Sequence, residues 1–361
     1  MNKVTPFLFL LILVIACNTS KKSPEYMTQA TGKPGDMILF LDSIQWKGTL
    51  GTELRKVFSA EVPGLPRPEP MFNLKWVHPN KKIHFLTEIR NLIFVFTLDQ
   101  NTRGSKIMKE SFSPETLARI KSDSSFFIYT EKDEYSKGQE VMYLYGDTEQ
   151  NLIHHLHQNK QRIIDFFNTA EKKRLESAIF KTKTTKSITD FLQKEQQCEL
   201  RVPFGFKLAD KQKDFAWLRA MEPEVDKDIF ISWKKYESEY QLLPDSIIAW
   251  RDAIARKYLF GDPQQPESYL VTAESPFKPV LAKQVNFNNH FAMEVRGLWK
   301  THAAMTMGGP FLSYTLVDEK KNLLYYIEGF AYSPGKEQRE IMRELETILW
   351  TFKTSDVAKA N

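Results

Sequence analysis

The hydrophobic pattern between residues 36 and 180 predicts a domain of mixed strands and helices. An apolar run at 37–41 predicts a strand, and apolar positions at helical spacing from Trp46 to Phe58 predict a helix directly after it. Ser113 and Pro114 form a typical helix start. Further strands are predicted at 72–78, 82–87, 91–98, 125–130 and 140–145, the last two as a hairpin, and a long helix at about 147–180.

A second mixed pattern covers residues 198–353, after a segment at 181–197 that we predict to be a linker. Strands are predicted at 214–220, 228–236, 268–273, 279–287, 290–300, 311–317 and 323–332, and helices at 244–258 and 336–350. Because strands follow one another without regular alternation with helices, the fold class is α+β. We predict two mixed domains, 36–180 and 198–353, each a mainly antiparallel sheet packed by helices.

The first sixteen residues have the pattern of a signal peptide: Lys3 precedes an uncharged run from Val4 to Ala16. The run is shorter than the ~20 apolar residues that span a bilayer. Val14-Ile15-Ala16-Cys17 resembles the lipobox of bacterial lipoproteins, which implies cleavage after Ala16 and lipid attachment, palmitate included, to Cys17. Residues 17–35 have little apolar content and are predicted to be a flexible tether, and 354–361 a disordered tail.

Composition restricts the function further. A net charge of +5 over 361 residues, with lysines and acids interspersed, gives no reason to expect nucleic-acid binding. The chain has two cysteines, so Cys198 has no internal partner once Cys17 is acylated. No motif requires a cofactor, and no catalytic residue is predicted.

Two histidines on the predicted long helix are the sharpest metal candidate. His154 and His157 lie one turn apart and present two ligands on one face. A zinc site requires at least a third ligand, which the sequence does not place nearby. An exposed polar helix face is the alternative, and no metal is assigned.

Four segments of the C-terminal third carry a family resemblance: Arg296-Gly297-Leu298-Trp299, Met307-Gly308-Gly309-Pro310-Phe311, Glu328-Gly329-Phe330 and Arg343-Glu344-Leu345-Glu346. Together, and with the segment from Arg251 to Tyr269, they resemble an uncharacterised family of Bacteroidetes lipoproteins, which implies no activity or substrate. The outline of the C-terminal half is also similar to small sandwiches of the PsbP and Mog1 type. Arg296, Trp299, Gly308 and Gly309 are candidates for a ligand cleft; a tight glycine turn beside a core tryptophan is the alternative.

These observations favour a non-catalytic binding or structural module of the cell envelope. We expect anchorage to a lipid bilayer through Cys17, at the outer membrane facing the periplasm, and an envelope protein or a glycan as partner. The alternatives are a hydrolase or transferase that acts on an envelope polymer, and a carrier of a small ligand.

Overall fold

The computed structural model describes residues 27–80, 86–182, 184–262, 264–274, 276–303 and 307–354. The predicted signal peptide 1–16, Cys17, the first part of the tether and residues 355–361 of the predicted tail lie outside the described residues, as does most of the strand predicted at 82–87. Within the described residues, no helix is both long enough and apolar enough to cross a membrane.

The chain forms two compact units. The N-terminal unit comprises the residues up to Glu53 and Lys75–Gln158, and the C-terminal unit comprises Leu54–Leu74 and the residues from Asn159 onward. Each unit combines a sheet with helices, so the predicted α+β class with two mixed domains is confirmed.

The N-terminal sheet has five strands in the order β2-β1-β3-β5-β4. Its strands and the helices that follow them are β1 (Asp36–Phe40), α1 (Ser43–Lys47), α2 (Thr49–Phe58), β2 (Asn73–Val77), β3 (Asn91–Thr97), α3 (Arg103–Lys109), α4 (Pro114–Ser122), β4 (Ile128–Lys132), β5 (Glu140–Gly146) and α5 (Glu149–Ile179). The predicted hairpin is present, because Ile128 pairs with Leu144 in antiparallel β4 and β5.

The central strands of this sheet run parallel, which the sequence analysis did not predict. Ile38 of β1 pairs with Leu92 of β3, and Leu92 pairs with Val141 of β5, both in parallel register. All seven residues of β3 are buried. A continuous apolar strand is typical of a parallel sheet that is covered on both faces. At one edge of this sheet, β4 pairs antiparallel with β5.

The C-terminal unit contains an eight-stranded sheet in the order β10-β12-β13-β14-β9-β8-β7, with β11 also paired to β12. Its elements are α6 (Lys186–Glu195), β6 (Cys198–Glu199), β7 (Lys207–Gln212), β8 (Phe215–Glu222), β9 (Val225–Lys235), α7 (Pro244–Tyr258), β10 (Leu270–Thr272), β11 (Leu281–Phe287), β12 (His290–Thr301), β13 (Gly308–Asp318), β14 (Leu323–Tyr332), α8 (Arg339–Leu349) and β15 (Lys353–Thr354). Within the described residues, neighbouring strands of the large sheet pair antiparallel.

The two faces of this sheet bury separate apolar clusters because side chains alternate along each strand. Leu345 and Ile348 of α8 pack with Tyr325 and Ile327 on one face. On the other face, Ile254 of α7 packs in a second cluster with Phe230 and Tyr326.

Two segments are more ordered than the sequence analysis predicts. Residues 186–195 of the predicted linker form α6, because Ile188 and Leu192 lie one turn apart and are both buried. In the predicted tether, the backbone N–H groups of Ala30 and Thr31 donate to the carbonyl oxygens of Lys137 and Glu88. Backbone hydrogen bonds therefore hold residues 30 and 31 in place despite the low apolar content around them.

Candidate functional site

Trp299, a predicted cleft residue, is part of the core of the C-terminal unit. It is 2% exposed, and its indole N–H donates to the carbonyl oxygen of Ala331 at 3.2 Å. Its ring contacts Phe330 edge to face. Because both the ring and its N–H are satisfied inside the protein, packing accounts for this tryptophan.

Gly308 and Gly309 lie in β13 and not in a turn between strands. They pair with Lys300 and Trp299 of β12. A Cβ atom on Gly309 would lie 2.0 Å from the carbonyl oxygen of Ala331, and one on Gly308 would lie 2.9 Å from that of Trp299. Close approach of neighbouring backbone therefore requires glycine at these two positions.

Arg296, the fourth predicted cleft residue, is neutralised by carboxylates on both sides. Its guanidinium lies 2.8 Å from Glu294 and 3.1 Å from Glu346, and Lys172 lies 2.7 Å from Glu346. Burial raises the pKa of Glu346, but the two cations more than offset this and lower it to about 2. The Tyr314 hydroxyl donates to Glu294 and accepts from the Trp350 indole N–H.

A second ion pair in the same unit joins two segments of the family resemblance. Arg251 of α7 and Glu328 of β14 are 1% and 0% exposed and form two hydrogen bonds of 2.9 Å. Arg251 also donates to the Thr272 hydroxyl, and Tyr326 donates to Glu328. The buried charges of Arg251 and Glu328 hold α7 against the sheet.

An open cleft of about 490 Å³ lies at the residues that follow Thr272. It is lined by Ala273, Glu274, Pro276, Pro279 and Val280.

The histidines of α5 make separate contacts. His157 lies 2.8 Å from Glu53, whereas His154 is exposed on the helix and its ring contacts that of His155. His155 in turn stacks on Phe127. Across the described ranges, no group of three or more His, Cys, Asp or Glu side chains is placed to hold a metal ion.

A polar cluster that the sequence analysis missed lies at the carboxyl edge of the parallel strands in the N-terminal unit. Asp42 and Asp99 each lie two residues past the end of a strand, β1 and β3 respectively. In the sheet, β1 lies between β2, the next strand along the chain, and β3. In open sheets with parallel strands, ligands bind outside the carboxyl ends at such a switch in strand order.

Hydrogen bonds connect the residues of this edge. Gln45 donates to the Thr97 hydroxyl and to Glu149, and Thr97 donates to Asp99. The Thr102 hydroxyl donates to Asp42 at 2.6 Å. We call these six residues the carboxyl-edge cluster: Asp42, Gln45, Thr97, Asp99, Thr102 and Glu149.

The side-chain amide of Gln45 has one unpartnered atom in this cluster. Gln45 is 2% exposed, and its Nε2 has two acceptors, Thr97 Oγ1 at 2.8 Å and Glu149 Oε2 at 3.2 Å. Rotating the amide by half a turn would place its oxygen against the Glu149 carboxylate, and two acceptors cannot form a hydrogen bond. The amide orientation is therefore fixed. Among the described residues, Gln45 Oε1 has no hydrogen-bond donor. A buried acceptor without a donor costs about 1–3 kcal/mol.

The three carboxylates of the cluster retain acceptor capacity. Each of their oxygens accepts one hydrogen bond from the described residues, including Ile44 N–H to Asp42, Glu149 N–H to Asp99 and Leu50 N–H to Glu149. A carboxylate oxygen accommodates two. Among the described residues, none forms an ion pair with these carboxylates. Lys109, whose charge acts on Asp99 at longer range, donates to the carbonyl oxygens of Leu98 and Gln100.

The edge is accessible from solvent on one side. Asp99 and Asn101 are exposed, and the apolar side chain of Ile44 is 61% exposed. Trp46 and Trp76 stack with ring centroids 5.6 Å apart, and the Trp76 indole N–H donates to the carbonyl oxygen of Leu41. The cluster therefore combines buried acceptors with an exposed rim.

The side chains of Asp42 and His78 both pack against Gly104. A Cβ atom on Gly104 would lie 2.8 Å from Asp42 Oδ2 and 2.7 Å from His78 Cε1, so glycine permits this close packing. His78 Nδ1 is buried and has no hydrogen-bond partner in the part of the chain that the structure describes. The signal for this edge in the sequence is an acid shortly after each of three apolar strands: Asp42, Asp99 and Asp147.

Comparison with known proteins gives families without an assigned activity. Residues 185–351 match the family described as "Domain of unknown function (DUF4837)", and residues 30–181 match "Domain of unknown function (DUF8532)". No curated protein matches the chain.

Among solved structures, two of the protein Mog1 are similar to part of the chain. A Mog1 mutant matches at 8% identity and a TM-score of 0.29, over 45% of this chain and 92% of its own. The Saccharomyces cerevisiae Ran-binding protein Mog1p matches at 8% identity and a TM-score of 0.30, over 44% and 91%. The likeness to Mog1 is present and weak.

Proposed function

We propose that this protein is a lipid-anchored binding module of the bacterial cell envelope, and that it binds its ligand at the carboxyl-edge cluster without transforming it. Cys17 carries the lipid, palmitate included, after removal of residues 1–16, and the folded units face the periplasm from the outer membrane. The signal-peptide pattern ending in Val14-Ile15-Ala16-Cys17 and the resemblance to Bacteroidetes lipoproteins support the anchor.

The unpartnered Gln45 Oε1 is the observation that carries the binding proposal. It belongs to a buried side chain at the switch in strand order between β1 and β3, and the amide nitrogen of that side chain donates to Glu149. Natural proteins leave few buried acceptors unpaired, and a ligand donor is one way of satisfying such an atom. Because hydrogen bonds from the protein fix Asp42, Asp99 and Glu149, these acceptors are positioned before a ligand arrives.

The anchor and the partner are tested together by crosslinking in native membranes. The full lipidated protein is crosslinked and purified, and a Cys17→Ala variant serves as the control that cannot be acylated. We expect palmitate labelling of the wild type alone, and a stoichiometric partner or ligand that the variant loses. Palmitate on the variant, or equal recovery of the partner from both, would contradict the tethered module.

Catalysis is tested on the same material. A hydrolase or transferase would convert purified envelope polymer, whereas a binding module retains it unchanged. We expect polymer fragments, analysed by mass spectrometry after incubation with the protein, to be identical to those from a heat-denatured control. New fragments that an Asp99→Asn variant fails to produce would establish an enzyme at this edge.

A further inference from the structure

We infer that the carboxyl-edge cluster recognises a ligand that presents a primary ammonium group, which donates hydrogen bonds to Gln45 Oε1 and to the surrounding carboxylates. This inference rests on the proposed function and adds the chemical class of the ligand.

The cluster offers acceptors, because the protein already uses its donors. Both hydrogens of Gln45 Nε2 are engaged, and the Thr97 and Thr102 hydroxyls donate to Asp99 and Asp42. The acceptors that remain available to a ligand are the Gln45 carbonyl oxygen and one further hydrogen-bond position on each carboxylate oxygen. A primary ammonium has three donors and no acceptor, so it matches this set better than a hydroxyl group, which also needs a donor.

Charge favours the same class. Asp42, Asp99 and Glu149 lie on one hydrogen-bonded edge, and the described residues form no ion pair with them. Asp42 is 3% exposed, so its charge is only weakly screened by water. Lys109, whose charge acts on Asp99, donates to backbone carbonyl oxygens and not to these carboxylates. A cationic ligand adds a countercharge in direct contact with them, whereas a neutral polyol does not. For a directly coordinated metal ion, the described residues do not assemble three ligands.

The exposed rim of the edge includes one apolar side chain, that of Ile44. It is 61% exposed and belongs to the same helix as Gln45. Alkyl stems of ammonium groups lie along apolar surface while the charged end is hydrogen-bonded. A free alkylamine and a lysine side chain share this chemistry.

The experiment is an NMR titration of the full lipidated protein in detergent micelles. Signals of the Gln45 side-chain amide are assigned by their absence in a Gln45→Met variant. The probes are n-butylammonium, n-butyltrimethylammonium, sorbitol, Mg²⁺ and a blocked lysine amide. We expect n-butylammonium to shift these signals saturably, and n-butyltrimethylammonium, which has no N–H donor, to bind at least tenfold more weakly.

Two charge-matched variants test the location. Asp99→Asn removes a carboxylate of the cluster and should weaken n-butylammonium at least tenfold. Asp165→Asn makes the same change at an exposed position of α5, where Gln161 donates to the carboxylate, and should change the affinity less than twofold. Thermal melts establish that each variant is folded. If the Asp99→Asn variant is not folded, the Gln45→Met variant takes its place. The n-butylammonium titrations of this variant and of the wild type are then both followed at the Trp76 indole N–H signal.

The outcomes separate the ligand class from the site. Tighter binding of the blocked lysine amide than of n-butylammonium supports the class and indicates a peptide source, and the reverse supports it with a free amine. Binding of sorbitol or Mg²⁺ in place of the amine, weakened by Asp99→Asn, would overturn the ammonium class and leave the proposed site intact. Binding that ignores Asp99→Asn, or no saturable binding of any probe, would overturn both.

Discussion

Arg251 and Glu328 are charged residues whose burial is compensated by each other. The guanidinium and the carboxylate meet in two hydrogen bonds of 2.9 Å, and Arg251 also lies 4.2 Å from the centre of the Phe311 ring. Taking both charges out of water costs several kcal/mol each. The pair therefore stabilises the fold only while both members are present.

Replacing Arg251 by Met should lower the free energy of unfolding by about 3–5 kcal/mol, because Glu328 would be left as a buried, unpaired carboxylate. Urea denaturation measures this. Arg256→Met, on an exposed position of the same helix, is the control and should cost less than about 1 kcal/mol. The double variant Arg251→Met/Glu328→Leu should be more stable than Arg251→Met; a double variant that is less stable would show that the ion pair is not the cause.

We expect Glu346 to make a contribution to the stability of the fold that is lost in acid. Its pKa in the folded protein, about 2, lies below the ordinary value of 4.5 because Arg296 and Lys172 stabilise the charged form against burial. Because its pKa is lowered in the folded protein, Glu346 stabilises the fold at pH values above its ordinary pKa. This stabilisation is lost as the pH falls from about 4.5 to about 2.

The Glu346→Gln variant should therefore be less stable than the wild type by roughly 2–4 kcal/mol at pH 7, and the difference should shrink as pH falls towards 2. Denaturation at a series of pH values measures the two curves. Glu337→Gln, at an exposed position before α8, should follow the wild type at every pH. A constant difference between Glu346→Gln and wild type would contradict the charge assignment.

At the scale of the element, α8 begins with an acidic cap supplied by a distant loop. The backbone N–H groups of Gln338 and Arg339 donate to the two carboxylate oxygens of Glu69, each at 2.7 Å. The helix has no side-chain cap of its own at Gln338. Glu69 thus satisfies two N–H groups and places a negative charge near the positive end of the helix dipole.

Glu69→Ala should destabilise the C-terminal unit by about 1–2 kcal/mol, since both N–H groups lose their acceptor. Chemical denaturation followed by far-UV circular dichroism measures the loss. Glu61→Ala removes an exposed acid from the same loop and should remain within about 0.5 kcal/mol of the wild type. Equal effects of the two substitutions would rule out the cap.

Several elements follow from the hydrophobic pattern because their apolar spacing is unambiguous. Residues 244–258, predicted as a helix, form α7, and the strand predicted at 323–332 is β14. The pattern missed α6, whose apolar face consists of Ile188 and Leu192 among charged residues. It also missed β7, most of which is exposed and therefore carries little apolar signal.

At the scale of the whole molecule, Cys198 is a buried thiol in β6, a strand that pairs with β15 at the other end of the C-terminal unit. It is 0% exposed, and burial raises its pKa, which disfavours the reactive thiolate. The rate at which a thiol reagent modifies Cys198 therefore reports opening of this unit.

With Cys17 acylated, we expect the native protein to take up essentially no maleimide within minutes, and one equivalent per chain after unfolding in urea. Mass spectrometry counts the labels, and Cys198→Ser should take up none in either state. Rapid labelling of the native wild type would show that β6 and β15 separate readily.

The sequence by itself determined the α+β class, most strands and helices, and a lipoprotein signal pattern, because these depend on the spacing of neighbouring residues. Only the tertiary structure decided that β1, β3 and β5 are parallel, since pairing direction depends on how the connections cross the sheet. It assigned Trp299, Gly308 and Gly309 to packing, and Arg296 to an ion cluster. It also brought Gln45, Asp99 and Glu149 together from three separate segments, because hydrogen bonding between distant residues leaves no periodic trace in a sequence.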